Sequence, residues 1–171
     1  DSLAFGAVEL DRNGRIVITI SAKPVADASG AVPTEAVVER KPGVIYGLGN
    51  IIENAVDFAR TTVWIDMDWT PSELRVVIGD DGPGYPPDLI GRIGDPFVRR
   101  RGPQKERPGY EGMGLGLFIA KTLLERSGAE LSFGNGSERP EEARLAGPPE
   151  FSRPTGAIVS VVWPRGRSED A

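Results

Sequence analysis

The chain has 171 residues, with 20 lysines and arginines against 25 aspartates and glutamates and a net charge of −5. It is long enough for one domain with a real core, and its acidic balance argues against duplex nucleic acid as the main partner, though not against a small phosphate-bearing ligand in a local basic pocket. It contains no cysteine and no histidine, which excludes a disulfide framework, a thiolate metal site, and imidazole as general base, zinc ligand or phosphoacceptor.

No apolar run approaches the ~18 residues needed to span a bilayer. The start at Asp1-Ser2, without Met or a signal peptide, reads as a piece cut from a longer protein. Apolar runs at 3–10 and 16–20 flank Asp11-Arg12-Asn13-Gly14 and predict a hairpin. Small polar residues over 22–33 predict a loop. Apolar residues then recur at Val44, Leu48, Ile51, Ile52, Ala55 and Ala59, the pattern of an amphipathic helix over 44–59. Runs rich in β-branched and aromatic residues at 61–69 and 74–78 predict neighbouring antiparallel strands around Pro71-Ser72. Pro86-Pro87-Asp88 predicts a short helix reaching Ile93. Residues 98–111, rich in glycine, proline and charge, predict a mobile loop. A second long helix is expected over 115–126, ended by Gly128 as a left-handed cap. Strands are expected at 131–133 and 157–163, with a surface insertion over 134–154 between them. The elements predict an α+β fold: a mixed, largely antiparallel sheet with about three helices on one face, in two layers. The whole chain, 1–171, is expected to form one domain with its core over 36–164.

Four segments carry chemistry. Asn50, Asn54 and Asp57 fall on one helix stripe, opposite the apolar residues. Asparagine is a mediocre helix former, so the stripe is either a solvated face or a set of amide oxygens for Mg²⁺ arriving with nucleotide phosphates. Next, a β run ends in Asp80-Asp81-Gly82-Pro83-Gly84, where Asp80 could accept a hydrogen bond from an exocyclic amine such as that of adenine. An ordinary turn would look much the same. Third, Gly112-Met113-Gly114-Leu115-Gly116-Leu117 is a glycine-rich turn running into a helix, where backbone N–H groups and the helix dipole suit phosphate. It is neither a Walker A loop nor a dinucleotide fingerprint, since no GK[ST] follows and no strand precedes it. Last, residues 99–107 hold five basic side chains (Arg99, Arg100, Arg101, Lys105 and Arg107) against Glu106, which suggests either a phosphate-facing lid or a solvated loop.

Taken in order, these segments resemble the catalytic domain of sensor histidine kinases, within the gyrase/Hsp90/histidine-kinase/MutL superfamily. Asn50-Ile51-Ile52-Glu53-Asn54-Ala55 resembles the N box, and Asp80-Asp81-Gly82-Pro83-Gly84 the G1 box. Asp95-Pro96-Phe97 is similar to the tail of the F box, residues 112–117 to the G2 box, and Thr155-Gly156-Ala157 to the closing GTxF segment. Tyr46-Gly47-Leu48-Gly49-Asn50 and residues 54–59 look most like the RegB/PrrB redox-responsive type.

The resemblance implies a Bergerat-type ATPase fold that takes ATP and Mg²⁺. Asn54 and Asn50 would hold the metal, and Asp80 would bind the adenine amine. Gly82 and Gly84 would line the base pocket, with Phe58 packed near the adenine. Gly112, Gly114, Leu115, Gly116 and Leu117 would wrap the phosphates, and Arg99 or Arg100 would reach the γ-phosphate from a lid over 98–111. Two departures stand out: Asp57 where many relatives carry a basic residue, and Gly94 where the F box has its first aromatic.

The implied activity is phosphoryl transfer to a histidine on a separate dimerisation domain of a parent kinase, for relay to the receiver domain of a response regulator. This part is expected in the cytoplasm, with the parent anchored in the bacterial inner membrane, and the isolated fragment as a monomer. One rival is a gyrase- or Hsp90-like ATP-hydrolysing switch. Gyrase-type members carry a glutamate four residues before the magnesium asparagine; here that position is Asn50, which cannot take a proton from water at neutral pH. The other rival is a non-catalytic nucleotide-sensing module.

Overall fold

The computed structural model describes residues 3–9, 16–26, 29–31, 41–90, 113–136 and 156–165. They form one six-stranded sheet in the order β1-β2-β3-β4-β6-β5. The strands are β1 (Leu3–Glu9), β2 (Val17–Pro24), β3 (Thr62–Trp69), β4 (Glu73–Asp80), β5 (Glu130–Asn135) and β6 (Ala157–Pro164). The helices are α1 (Pro42–Phe58), the four-residue α2 (Pro87–Ile90) and α3 (Met113–Arg126).

The β1–β2 and β3–β4 pairs are antiparallel, as their patterns predict. Two features of the sheet were not in those patterns. β2 runs parallel to β3, paired from Val17↔Thr62 to Pro24↔Trp69, so residues 22–24, expected in a loop, extend a strand. The chain between these two strands carries α1 and forms a crossover. β6, last in the chain, lies between β4 and β5 and pairs antiparallel with both. The expected insertion likewise begins later than 134. Gly134 and Asn135 pair with Ile158 and Ala157 and close β5, because the ladder to β6 satisfies their backbone groups.

The predicted α+β, two-layer arrangement holds. Val44, Ile51 and Ala55 of α1 and Leu117, Ala120 and Leu124 of α3 pack with Val63, Ile65, Val76, Ile78, Val159 and Val161 of the sheet in one core. Alternation along β3 and β4 sends every second residue to the helices. Ile51, Ile78, Leu117 and Leu124 are fully buried, each contributing roughly 1.5–3 kcal/mol of hydrophobic stabilisation. Ile90 of α2 packs against the same cluster.

The helix ends follow local chemistry. α1 begins two residues before its first core position because Pro42, at the helix start, has its φ already set and lacks an N–H that would have no helical partner. α3 ends in a paired closure: the Gly128 N–H donates to the Glu125 carbonyl and the Ala129 N–H to that of Leu124. Gly128 has φ +94°, the left-handed cap its sequence predicts. α3 starts at Met113, so Gly114 and Gly116 sit inside its first turn instead of in a turn ahead of it. Among the described residues no helix is long and apolar enough to cross a membrane.

Candidate functional site

A recess opens where the last turn of α1 meets the ends of β4 and β6. Asn54, Phe58, Asp80, Gly84, Tyr85 and Ala157 line it. Two of these side chains come from α1, one turn apart, and Asp80 is the last residue of β4.

Asp80 is 2% exposed, the one charged side chain buried in the core among the described residues. Its Oδ1 accepts the Gly82 N–H at 2.8 Å and the Ala157 N–H at 3.3 Å. Its carbonyl accepts the Gly156 N–H at 2.8 Å. Oδ2 has no hydrogen-bond partner among the described residues, so one carboxylate oxygen is anchored and the other is left for the recess. Burial pushes the Asp80 carboxyl up to about 6, against the two backbone N–H bonds that lower it.

Its neighbour Asp81 has the opposite setting. The Asp81 carboxylate accepts the N–H groups of Arg60, Thr61 and Thr62 at 2.8–3.2 Å, and also the Thr61 hydroxyl. Burial acts to raise its pKa, but the Thr61 hydroxyl and these backbone donors together outweigh it and hold the carboxyl below the usual range. Asp81 therefore ties the segment after α1 to the exit of β4 and fixes Phe58 beside Asp80.

The backbone is packed tightly around the carboxylate. A Cβ at Gly82 would overlap the Phe58 carbonyl, and one at Gly156 would overlap Asp80 Oδ1 and lie 2.7 Å from the Gly82 N and O. Gly84 has φ +79°, which side-chain-bearing residues rarely adopt.

Two features escaped the sequence reading. Ala157 lines the recess and holds Asp80 through its N–H, because β6 inserts beside β4. Asn135, at the end of β5, accepts the Tyr85 N–H at 2.7 Å and donates to the Tyr85 carbonyl at 2.8 Å.

The other candidate residues fall as follows. Asn50 lies one turn before Asn54 on α1, half-buried and outside the recess lining, and Asp57 is exposed. Gly114 is in the first turn of α3. Gly116 has open space where a Cβ would be, so no packing contact explains it. The side chain of Leu115 is exposed and that of Leu117 is buried in the core. The helices cross with Gly43 of α1 against Leu123, and Gly47 against Leu124 and Ala120. α3 therefore runs back along α1, with its N-terminal turn toward the Asn54 end. Arg99, Arg100, Gly112, Gly94, the Asp95-Pro96-Phe97 segment, Thr155, the expected lid over 98–111 and the expected insertion beyond 136 lie outside the described residues.

A buried carboxylate with one free oxygen, a glycine-lined cradle and an amide one helical turn from an aromatic are parts suited to a purine nucleotide. Comparison with known proteins agrees. Residues 41–167 match the family described as histidine kinase-, DNA gyrase B- and HSP90-like ATPase, and the chain belongs to that family.

Within it the likeness is to sensor histidine kinases of the RegB type. The chain is 57% identical over 148 residues to sensor histidine kinase RegB of Cereibacter sphaeroides, covering 81% of this chain and 29% of RegB. Identity to sensor protein QseC of Escherichia coli is 30% over 97 residues, or 57% of this chain and 20% of QseC. The chain thus spans less than a third of the curated relatives it matches. Among solved structures, mycobacterial sensor histidine kinase MprB aligns with a TM-score of 0.53 at 25% identity, covering 75% of this chain and 76% of MprB. Full-length ShkA in complex with AMPPNP shares the fold, with a TM-score of 0.53 at 21% identity over 85% of this chain and 25% of ShkA.

Proposed function

We propose that this domain binds ATP–Mg²⁺ and donates the γ-phosphoryl group to a histidine on the dimerisation domain of a parent sensor kinase, for relay to a response regulator. The observation that carries the reading is Asp80. Its buried carboxylate has one oxygen held by Gly82 and Ala157, and it lines a recess together with Asn54 and Phe58.

In this reading Asp80 Oδ2 accepts the exocyclic amine of adenine, while Phe58 and the Gly82–Gly84 backbone bound the base. Asn54 supplies an amide oxygen to the metal, joined by Asn50 one turn earlier. Neutral amides bind magnesium weakly by themselves, so in this reading the ion arrives with its phosphates. Magnesium supplies neutralisation of phosphate charge when bound. The first turn of α3, with Gly114 and Gly116, and Gly112 before it offer backbone N–H groups to the phosphates. Arg99 or Arg100 would meet the γ-phosphate, a task that the acidic Asp57 cannot perform. Phosphoryl transfer asks the protein mainly for positioning and charge stabilisation, which these groups provide without a protein nucleophile.

The chain contains no histidine, so in this reading the acceptor imidazole comes from the parent's dimerisation domain. An ATP-hydrolysing switch would need a carboxylate to activate water. Glu53 is exposed and about 100° round the helix from Asn54, and Asn50 stands where that base would be.

The test is to mix the chain with the parent's histidine-bearing segment and γ-labelled ATP. Acid-labile label on the segment, and none on the chain alone, is expected. Stable label on the isolated chain, or rapid phosphate release without the segment, would contradict the reading.

A further inference from the structure

We infer that Asn135 is a positioning residue for the nucleotide base, acting as a one-residue substitute for a strand beside Gly84–Tyr85. The inference rests on the nucleotide-binding reading of the recess and adds a residue that contributes no atom to the recess lining.

The geometry is specific. One carboxamide engages both polar groups of a single residue fifty positions away: Oδ1 accepts the Tyr85 N–H and Nδ2 donates to the Tyr85 carbonyl. This donor–acceptor pair is what a residue directly opposite would offer in an antiparallel sheet. Aspartate at 135 would keep an acceptor for the Tyr85 N–H but set its other oxygen against the Tyr85 carbonyl, and alanine would remove both bonds.

The strut is itself anchored. Asn135 pairs with Ala157 in the β5–β6 ladder, and the next residue, Gly136, donates to the Gly156 carbonyl. Gly156 in turn donates to the Asp80 carbonyl. The two walls of the recess, Asp80–Ala157 on one side and Gly84–Tyr85 on the other, are therefore referenced to one pair of strand ends. Without Asn135, these two hydrogen bonds from β5 to the Gly84–Tyr85 wall disappear.

Two further contacts fix the same spot. Gly84 sits at φ +79°, and a Cβ there would lie 2.6 Å from Asn135 Oδ1, so the carboxamide occupies the space that the glycine leaves. The Tyr85 ring is buried and meets Phe133, two residues before Asn135, edge to face at 6.3 Å. β5 thus grips Tyr85 by ring and by backbone, while Gly84 and Tyr85 face the recess.

The test uses the wild-type chain, Asn135→Ala and the near-isosteric Asn135→Asp. Exchange of the Tyr85 amide hydrogen is followed by NMR without ligand. ATP and GTP affinities are then measured by competition with a fluorescent ATP analogue, below the melting point of each variant. Expected are Tyr85 exchange faster by about tenfold or more in Asn135→Ala, which alone loses the acceptor for that N–H, and in both variants ATP affinity lower by roughly tenfold with a narrower preference for ATP over GTP. A smaller folded fraction would scale both nucleotides equally, so the narrowed preference is what separates positioning from general stability. Unchanged Tyr85 exchange in Asn135→Ala, or an unchanged ATP-to-GTP ratio in either variant of a wild type that binds ATP, overturns the inference and leaves the functional reading standing. A wild-type chain that binds no ATP overturns both.

Discussion

Asp80 is charged at neutral pH in a place that disfavours charge. Burial raises its folded pKa to about 6 from the ordinary aspartate value of 3.8, so the fold prefers the protonated form. The sign follows: the contribution of this group to stability is fully present below the unfolded pKa, and is lost as pH rises from about 4 through 6. Above that window the ionised carboxylate costs the fold up to about 3 kcal/mol. Asp80→Asn keeps an oxygen for the Gly82 and Ala157 N–H groups and removes the charge. The expected outcome at pH 8 is a denaturation midpoint equal to or above wild type, with ATP affinity lower by about 10- to 100-fold. In the wild type, ATP affinity should fall as pH drops through 6, and Asp80→Asn should lack that step. A destabilised Asp80→Asn variant with ATP binding intact would contradict this assignment. The place of Asp80 at a strand's tip was legible in the sequence, where a β run ends in a carboxylate before two glycines, while its suggested partnership with the asparagine stripe came from the family resemblance. Asn135 was not, because an asparagine beside glycines reads as turn chemistry. Only the three-dimensional placement of Tyr85 gives it a partner.

At the scale of elements, the crossing of α1 and α3 depends on Gly47. A Cβ there would lie 2.8 Å from Leu124 Cγ and 3.3 Å from the Ala120 carbonyl oxygen. Leu124 is fully buried and has no room to retreat. Alanine would gain up to about 1 kcal/mol of helix propensity and lose more to overpacking. Gly47→Ala should therefore destabilise by a net ~1–3 kcal/mol in urea titration, and a neutral or stabilising result would show that the helices can move apart. The periodicity of α1 was readable because its apolar residues recur on one face. Its start was not, because Pro42-Gly43 resembles a loop until the proline is seen at the first helical position. The onset of α3 was misplaced for a related reason. Gly114 and Gly116 lower helix propensity in a turn that is nonetheless helical.

At the scale of the molecule, the site is a product of strand order. β6 comes last in the chain but pairs between β4 and β5, which puts Gly156 and Ala157 against Asp80 and brings Asn135 within reach of Tyr85. Period-two patterns identify strands without saying which strands are neighbours, so the two-layer class was legible and this adjacency was not. The parallel β2–β3 pairing was hidden for the same cause. The central claim is that Asn54 and Asp80, from different elements, serve one magnesium-bound adenine nucleotide. Its most direct test is calorimetric titration of ATP, with and without Mg²⁺, into the wild type and Asn54→Ala. The wild type should bind with Mg²⁺-dependent affinity, and Asn54→Ala should lose that dependence together with at least the ~10–100-fold that removing a metal-site partner costs. A wild type that gives no heat of binding, or an Asn54→Ala variant as tight and as Mg²⁺-dependent as the wild type, would contradict it.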